Sequence, residues 1–330
     1  MSGGIGWYVH HHGLGHATRL RAVAAHLPGA ITCFSSLARP DDLPANCSWV
    51  RIPLDDASAA PVIEPEAGGL LHWAPIGHPG HAGRLAAIAA WIGAHRPSAF
   101  VVDVSAEVAL LTRLLGVRTV LMAQPGIRDD RPHRLAFDAA SRIVAPWPRD
   151  LLRPAHLDRH LAKVVFTGGI TRFAGRRRAA PGDDVVVLGG LGGSAITTQD
   201  IAAAQDVTGR TWRAVGAGPG APWVADPWQD ISEAGVVVSW AGQNAIADLA
   251  AAGARAVVIP QERPFDEQRE TARALARAGL ALVLDDWPMA DEWPAVLDGA
   301  AAVRPEWERW EIDDAAARAA HAILETAGGR

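Results

Sequence analysis

Two short segments, far apart in the chain, carry residue types that could hold an anion and do chemistry beside it. The first is Gly13-Leu14-Gly15-His16-Ala17-Thr18-Arg19, directly after an apolar run over 5–9. The second is Ser239-Trp240-Ala241-Gly242-Gln243-Asn244-Ala245-Ile246-Ala247-Asp248, after an apolar run over 236–238. Each reads as strand, glycine turn, helix. Glycine lets the backbone approach a ligand closely, and a helix N-terminus offers unpaired N–H groups and positive partial charge. One such turn would say little. Two, one in each half of a 330-residue chain, imply two facing nucleotide-type domains with a cleft between them. His10-His11-His12 stands just ahead of the first turn. His10 and His12 of a strand-end segment point the same way. No carboxylate or cysteine follows at ligand spacing, so no metal site is expected.

Positioning such turns requires a regular alternation of elements, and the chain has one. Strands are expected over 5–9, 30–34, 49–52, 100–102, 118–122, 142–144 and 164–166, with helices over 16–27, 84–95 and 106–115. A loop-rich stretch fills 53–83. After a polar, basic, glycine- and proline-punctuated segment over 172–182, the pattern restarts at 184–188 and runs into Gly189-Gly190-Leu191-Gly192-Gly193-Ser194. Further strands are expected over 211–215, 236–238, 256–259 and 281–284, and helices over 195–205, 243–252, 266–278, 290–303 and 311–327. Alternation of this kind means parallel sheets with helices on both faces. The expected fold class is α/β, two doubly wound Rossmann-like domains facing a central cleft. They divide as 1–170, a connector over 171–183, 184–310, and a last helical segment over 311–330.

Composition narrows the function classes. With 49% hydrophobic and 20% charged residues the chain reads as a soluble globular protein, and a net charge of −5 gives no general attraction to nucleic acid. Cys33 and Cys47 form neither a zinc spacing nor a disulfide framework, which suits a reducing cytoplasm. The start has no basic segment leading into a long apolar stretch, so no signal peptide is expected, and no apolar run reaches the roughly 18 residues of a membrane span. Thirteen tryptophans stand against one tyrosine. Trp73, Trp223, Trp228 and Trp240 fall in loops or turns, where they either pack the core and hinge or stack on a sugar or an apolar acceptor.

The donor-like region sharpens the reading. Gly242-Gln243-Asn244, Asp248, Gly253, Pro260 and Glu267-Gln268 stand in an order that resembles GT-B glycosyltransferases. The resemblance is to the branch of the lipid II-forming N-acetylglucosaminyl transferase and the plant galactolipid synthases, and it extends to the wider UDP-glycosyltransferase group. It covers most of the chain. It implies a return of the last helix to the N-terminal domain. Gly13 and Gly15, together with Gly190, Gly192, Gly193 and Ser194, match the turns that face the donor diphosphate. Gly242, Gln243 and Asn244 match the diphosphate-binding helix start. Asp248 sits where the family has an acid, usually glutamate, holding the ribose hydroxyls; a carboxylate accepts both hydrogen bonds of a cis-diol well. Glu267 and Gln268 match the pair that binds donor-sugar hydroxyls. Trp240 replaces a frequent histidine and Ala245 a hydroxyl residue, and both changes remove phosphate contacts.

His16 matches the N-domain histidine that serves as general base in many members. Imidazole titrates near working pH and can take the proton of an attacking hydroxyl. Asp103, at the end of the strand over 100–102, either orients that histidine or caps the next helix. His12, Trp73 and His78 are expected on the acceptor side, the latter two in the 53–83 loop together with His72 and His81. The resemblance implies an inverting, metal-independent transfer from a nucleotide sugar, UDP-sugar by default, to a small or lipid-linked acceptor. The nucleotide sugar is a substrate and no cofactor is expected. The setting is cytoplasmic, with membrane contact at most peripheral at the inner face. Two rival readings share the architecture: a UDP-sugar 2-epimerase, for which no clear set of carboxylates is visible, and a non-catalytic nucleotide-sugar-binding protein, which Trp240 and Ala245 would suit.

Overall fold

Ile5–Val9 and Ala99–Asp103 are buried along their whole length. Strands with no polar face fit only inside a parallel sheet covered on both sides. The computed structural model describes residues 3–56, 62–190, 196–215, 224 and 226–329. Its first sheet consists of β1 (Ile5–Val9), β2 (Ile31–Ser35), β3 (Cys47–Arg51), β4 (Ala99–Asp103), β5 (Thr119–Met122), β6 (Arg142–Ala145) and β7 (Val164–Phe166), in spatial order β3-β2-β1-β4-β5-β6-β7. A second sheet consists of β8 (Val185–Leu188), β9 (Trp212–Val215), β10 (Val236–Ser239), β11 (Ala256–Val258) and β12 (Leu282–Val283), in order β12-β11-β10-β8-β9. The strand pairings in both sheets are parallel.

Helices cover these sheets. With the first are α1 (Gly15–Ala24), α2 (Pro79–His95), α3 (Ala106–Leu114) and α4 (Arg131–Ala139). The second half supplies α5 (Thr198–Thr208), α6 (Trp228–Glu233), α7 (Gln243–Ala252), α8 (Glu267–Ala278), α9 (Trp293–Ala302) and α10 (Ala315–Ala327). Although α10 comes last, its Ala315, Ala319 and Ile323 pack among Leu20, Val23 and Val101 of the first sheet's core. The chain crosses itself on the way. Gly168 has φ +76°, and a Cβ there would lie 2.1 Å from the Glu311 carbonyl oxygen, so glycine is required. Arg318 clamps the crossing by donating to the Thr167 carbonyl from Nε at 2.9 Å and from Nη2 at 2.5 Å.

Strand order locates the reactive end of each sheet. In the first, the chain moves outward from β1 to β3, then returns to β4 beside β1. In the second, it moves from β8 to β9, then returns to β10 on the other side of β8. Open α/β sheets bind ligands beyond the carboxyl ends of their strands at such reversals. Register sets Val9 opposite Asp103 and Leu188 opposite Ser239. Within each sheet, the segments that leave these two strands therefore emerge side by side.

Several elements differ from the sequence-based expectation for identifiable reasons. Helix α2 begins at Pro79, ahead of the expected 84, because proline suits the first turn and His78 caps it. Helix α4 was not expected at all, although Asp130 caps it and Pro132 opens it. Helix α5 starts at Thr198, after Thr197 and Asp200 form a capping box. Before α10, Trp307–Trp310 forms a short 3-10 turn, and left-handed Glu311 and Asp314 delay the helix to Ala315. Among the described residues no helix is long and apolar enough to cross a membrane.

Candidate active site

Beyond Val9 the chain turns through Gly13, whose φ of +73° favours glycine, and enters α1 at Gly15. His16 thus sits in the first helical turn, next to the end of β4. Its Nδ1 lies 2.9 Å from Asp103 Oδ1. Asp103 is fully buried. Burial alone would push its carboxyl up, but Arg19 and His16 outweigh that and hold it below the ordinary range. An ionised Asp103 accepts from Nδ1–H, which leaves the lone pair on Nε2 and makes that nitrogen the basic one. The helix-capping role open to Asp103 belongs to Ser105, whose hydroxyl accepts from the Val108 N–H at 3.1 Å. Between them, Val104 has φ +66°, a strained conformation for a β-branched residue, and it lines the cleft.

Opposite His16 stands the start of α7. Gly242 is its N-cap and offers no side-chain cap; Leu14 offers none to α1 either. Two helix starts with open N–H groups therefore meet at one place, as an anion site requires. They are tied together: Asn244 Nδ2 donates to the Gly15 carbonyl at 2.8 Å, and Arg19 Nη1 donates to Gln243 Oε1 at 3.3 Å. The cleft here has a volume of about 790 Å³. It is lined by Gly13, Gly15, His16, Gly190, Gly242, Gln243, Asn244, Asp248, Glu267 and Gln268, which the structure brings together from both halves of the chain. Gly192, Gly193 and Ser194 lie outside the described residues, as does Trp223.

The polar groups in this cleft are only partly committed. Asp248 Oδ1 accepts from the Thr171 hydroxyl at 2.5 Å, and Oδ2 lies 3.9 Å from Arg172 Nε. Burial raises the Asp248 carboxyl to about 6, with Thr171 and Arg172 pulling the other way. Gln268 Oε1 accepts from the Gln261 N–H at 2.9 Å. Glu267 Oε2 accepts from Arg128 Nη2 at 2.9 Å, so a cation from the first sheet's side holds it. Trp240 also lines the cleft, and its Nε1–H is buried without a partner. Trp228, by contrast, packs against Phe173.

A second cavity, of about 560 Å³, opens behind the histidine run. His10, His11, His12, Val104, Gln124, Arg128 and Phe265 line both spaces, so the two adjoin. Its other walls include Tyr8, Trp73, Leu85, Leu121 and Phe137. Trp73 is held by its backbone N–H donating to Glu107 Oε1 at 3.1 Å, and its indole N–H has no partner. His12 is exposed at the junction of the two spaces. Stacking of His10 on His11 at 4.7 Å and the edge contact of His10 with His16 at 5.7 Å crowd the run. Burial, then the neighbouring imidazoles, holds His10 well below its usual value, and burial with His12 and Arg84 brings His11 down to about 4.

His78 must be removed from the acceptor side. It is buried, its Nδ1 accepts from the His81 N–H at 3.2 Å, and its Nε2 lies 3.0 Å from the Asp56 carbonyl oxygen. Both ring nitrogens are occupied, Nδ1 in capping α2 and Nε2 by the Asp56 carbonyl, and His78 does not line the cavity. Gln124, Arg128, Asp130 and His133 are site residues that no motif above contains, and Arg19 closes the first glycine turn without a role assigned to it there. Asp130 and His133 could have been found from Asp130-Arg131-Pro132-His133, which carries the capping and proline signals of a helix start. With His72 they form a group whose ligand atoms lie within 4.8 Å of one another. Arg128 Nη1 lies 3.0 Å from His133 Nε2, and a guanidinium can only donate. The proton of neutral His133 is then on Nδ1, facing Asp130 Oδ2 at 2.5 Å. The group is satisfied as a hydrogen-bonded relay and is poorly arranged to offer His133 Nδ1 to a metal. Burial, then Arg128, keeps His133 neutral with a value of about 4.

Comparison with known proteins bears on the fold. Residues 222–292 match the glycosyltransferase family 28 C-terminal domain, a segment that holds the start of α7, Asp248, Glu267 and Gln268. The glycotransferase of kitacinnamycin superposes with a TM-score of 0.67 at 18% identity, covering 98% of this chain and 99% of that one. Phytolacca americana UGT2, complexed with UDP-2-fluoroglucose and pterostilbene, gives a TM-score of 0.64 at 15% identity, covering 99% and 94%. MurG of Acinetobacter baumannii gives 0.62 at 14% identity, covering 98% and 99%. Among curated protein sequences there is no significant match. The fold is the GT-B fold of glycosyltransferases. Within it, residues 222–292 are similar to the glycosyltransferase family 28 C-terminal domain.

Proposed function

We propose that this protein transfers a sugar from a nucleotide sugar, UDP-sugar by default, to a hydroxyl of a small acceptor seated in the smaller cavity. One observation carries the reading: His16, backed by buried Asp103, lines the cleft opposite the uncapped start of α7 and touches His10, which lines both the cleft and that cavity. The acceptor hydroxyl attacks the anomeric carbon as Nε2 of His16 takes its proton, with inversion in one displacement. The departing diphosphate is supported by the N–H groups of the α1 and α7 starts. Asp248 receives the ribose hydroxyls, and Glu267 and Gln268 the sugar hydroxyls. A UDP donor is supported by the UDP-2-fluoroglucose complex of the Phytolacca enzyme.

A small acceptor fits the cavity better than a lipid-linked diphosphate. Arg84 is paired with Asp55 at 2.5 Å and Arg128 with Glu267 at 2.9 Å. His11 and His133 are neutral at physiological pH. These walls offer little positive charge to a diphosphate, while Tyr8, Trp73, Phe137 and Phe265 offer apolar surface to a ring system. Buried free thiols at Cys33 and Cys47 support a cytoplasmic setting, with membrane contact at most peripheral.

The test is a matrix of UDP-sugars against hydroxyl-bearing aromatic and aliphatic acceptors, reading UDP release and glycosylated product by mass. Acceptor-dependent UDP release with a product heavier by one sugar is expected. UDP release without any acceptor would favour the epimerase, and UDP binding with no turnover on any acceptor would favour a binding protein.

A further inference from the structure

Arg19 touches both halves of the reaction centre. It lies on α1, three residues after His16, and is 3% exposed. Its Nε stands 3.4 Å from Asp103 Oδ2, the carboxylate oxygen that His16 does not use. That ion pair lacks hydrogen-bond geometry at either atom. Its Nη1 donates to Gln243 Oε1 on the α7 side of the cleft. Because a guanidinium only donates, this contact decides which end of the Gln243 amide faces Arg19. The amide nitrogen Nε2 is turned away from Arg19 and is buried without a partner, in a residue that lines the cleft.

We propose that Arg19 is a positioning residue that couples the donor-binding turn to the His16–Asp103 pair. One edge of its guanidinium anchors the carboxylate that steadies His16, and the other sets the Gln243 amide so that its N–H groups serve the donor. The proposal rests on reading this cleft as the donor site. Lysine preserves the charge, but a single ammonium on a flexible stem does not reproduce a fork held at two fixed places. The groups that face His16 are Asp103 from β4, His10 from the segment after β1, and Arg19 itself through Asp103; Gln243 and Asn244 of α7 are neutral. Removing the Arg19 charge therefore leaves His16 as the main partner of Asp103, which favours the imidazolium.

The experiment combines NMR titration of labelled histidines, with His16 assigned through a His16→Gln variant, and UDP calorimetry. Both use the full chain and need no acceptor. In Arg19→Met, His16 should keep its proton to a pH higher by about one unit, as expected for the loss of a nearby charge. UDP binding should also weaken, by about 2–10-fold, the worth of one net hydrogen bond. Arg19→Lys should leave the His16 titration close to that of the wild type yet show the loss in UDP affinity. Gln243→Leu should do the same, and combining it with Arg19→Lys should add nothing further. An unmoved His16 titration in Arg19→Met, or wild-type UDP affinity in Arg19→Lys, overturns the proposal. If Arg19→Met does not fold, the Arg19→Lys and Gln243→Leu pair decides by UDP affinity. Failure of the wild-type chain to bind UDP would instead remove the donor reading on which the proposal rests.

Discussion

The cavity behind His10–His12 is walled by apolar rings and by side chains whose charges are paired, whereas the cleft between the sheets is walled by glycine turns and by two uncapped helix starts. In the cavity, Arg84 answers Asp55 and His133 answers Asp130. In the cleft, neither helix start has a side-chain cap. A region built to meet a fixed anionic ligand leaves donors open for it. One built to hold a mainly apolar ligand closes its own charges and leaves shape to discriminate. His16 lines the cleft and reaches the cavity through its contact with His10, which gives the contrast a functional meaning.

The largest expected effect comes from that junction. His16→Ala should lower turnover by about 10²–10⁴-fold, the usual contribution of a general base, with donor affinity nearly unchanged. Asp103→Asn should lower it less, because shape persists while charge is lost. Steady-state kinetics on an acceptor found by the screen would measure both. A His16→Ala enzyme that kept its turnover at saturation but lost donor binding would move His16 to the donor side and blur the contrast.

On the donor side, Asp248 gives a pH signature. Its carboxyl has a value of about 6, so it is protonated below that and ionised above. The ionised form is the better acceptor for ribose hydroxyls. UDP-glucose affinity should therefore be full above pH 7 and fall as pH drops through about 6. UDP-glucose suits the measurement because its diphosphate diester has no ionisation in this window. Flat affinity from pH 5 to 8, or loss as pH rises, would speak against Asp248 as the ribose ligand.

Glu267→Ala should weaken UDP-sugar binding by about 1.5 kcal/mol, as for a hydrogen bond to a charged group, while free UDP binds nearly as before. It should also lower thermal stability, since buried Arg128 loses its carboxylate. Equal losses for UDP and UDP-sugar would contradict the assignment. The smallest effect concerns His78. His78→Ala should cost about 1 kcal/mol of stability, as for loss of a helix cap, and leave acceptor KM unchanged once folded. A raised KM in a fully folded variant would return His78 to the acceptor side.

The same contrast explains what the sequence made legible. Glycine turns after buried strands have a local cause, so the first turn, at Gly13–His16, and the second, at Gly242–Asp248, could be read from order and spacing alone. The cavity is assembled from residues on β1, the 53–83 loop, α3, the end of β5 and α4, brought together only by the sheet order. No local pattern marks such a set. Gln124 and Arg128 follow β5 in a stretch without periodicity, and nothing near them announces Glu267 as a partner. His78 misled for the same reason. A histidine in a proline- and glycine-rich loop looks like a ligand until Pro79 is recognised as the first residue of a helix that needs a cap.

The central claim is that nucleotide binding and base chemistry belong to different residues on the two walls of one cleft. UDP calorimetry on the wild type, Asp248→Ala and His16→Ala tests it most directly. Asp248→Ala is expected to weaken UDP binding by about 1.5–3 kcal/mol, the range for hydrogen bonds to a charged group, while His16→Ala binds UDP almost as the wild type does. Wild-type affinity in Asp248→Ala, or an equal loss in both variants, would contradict it.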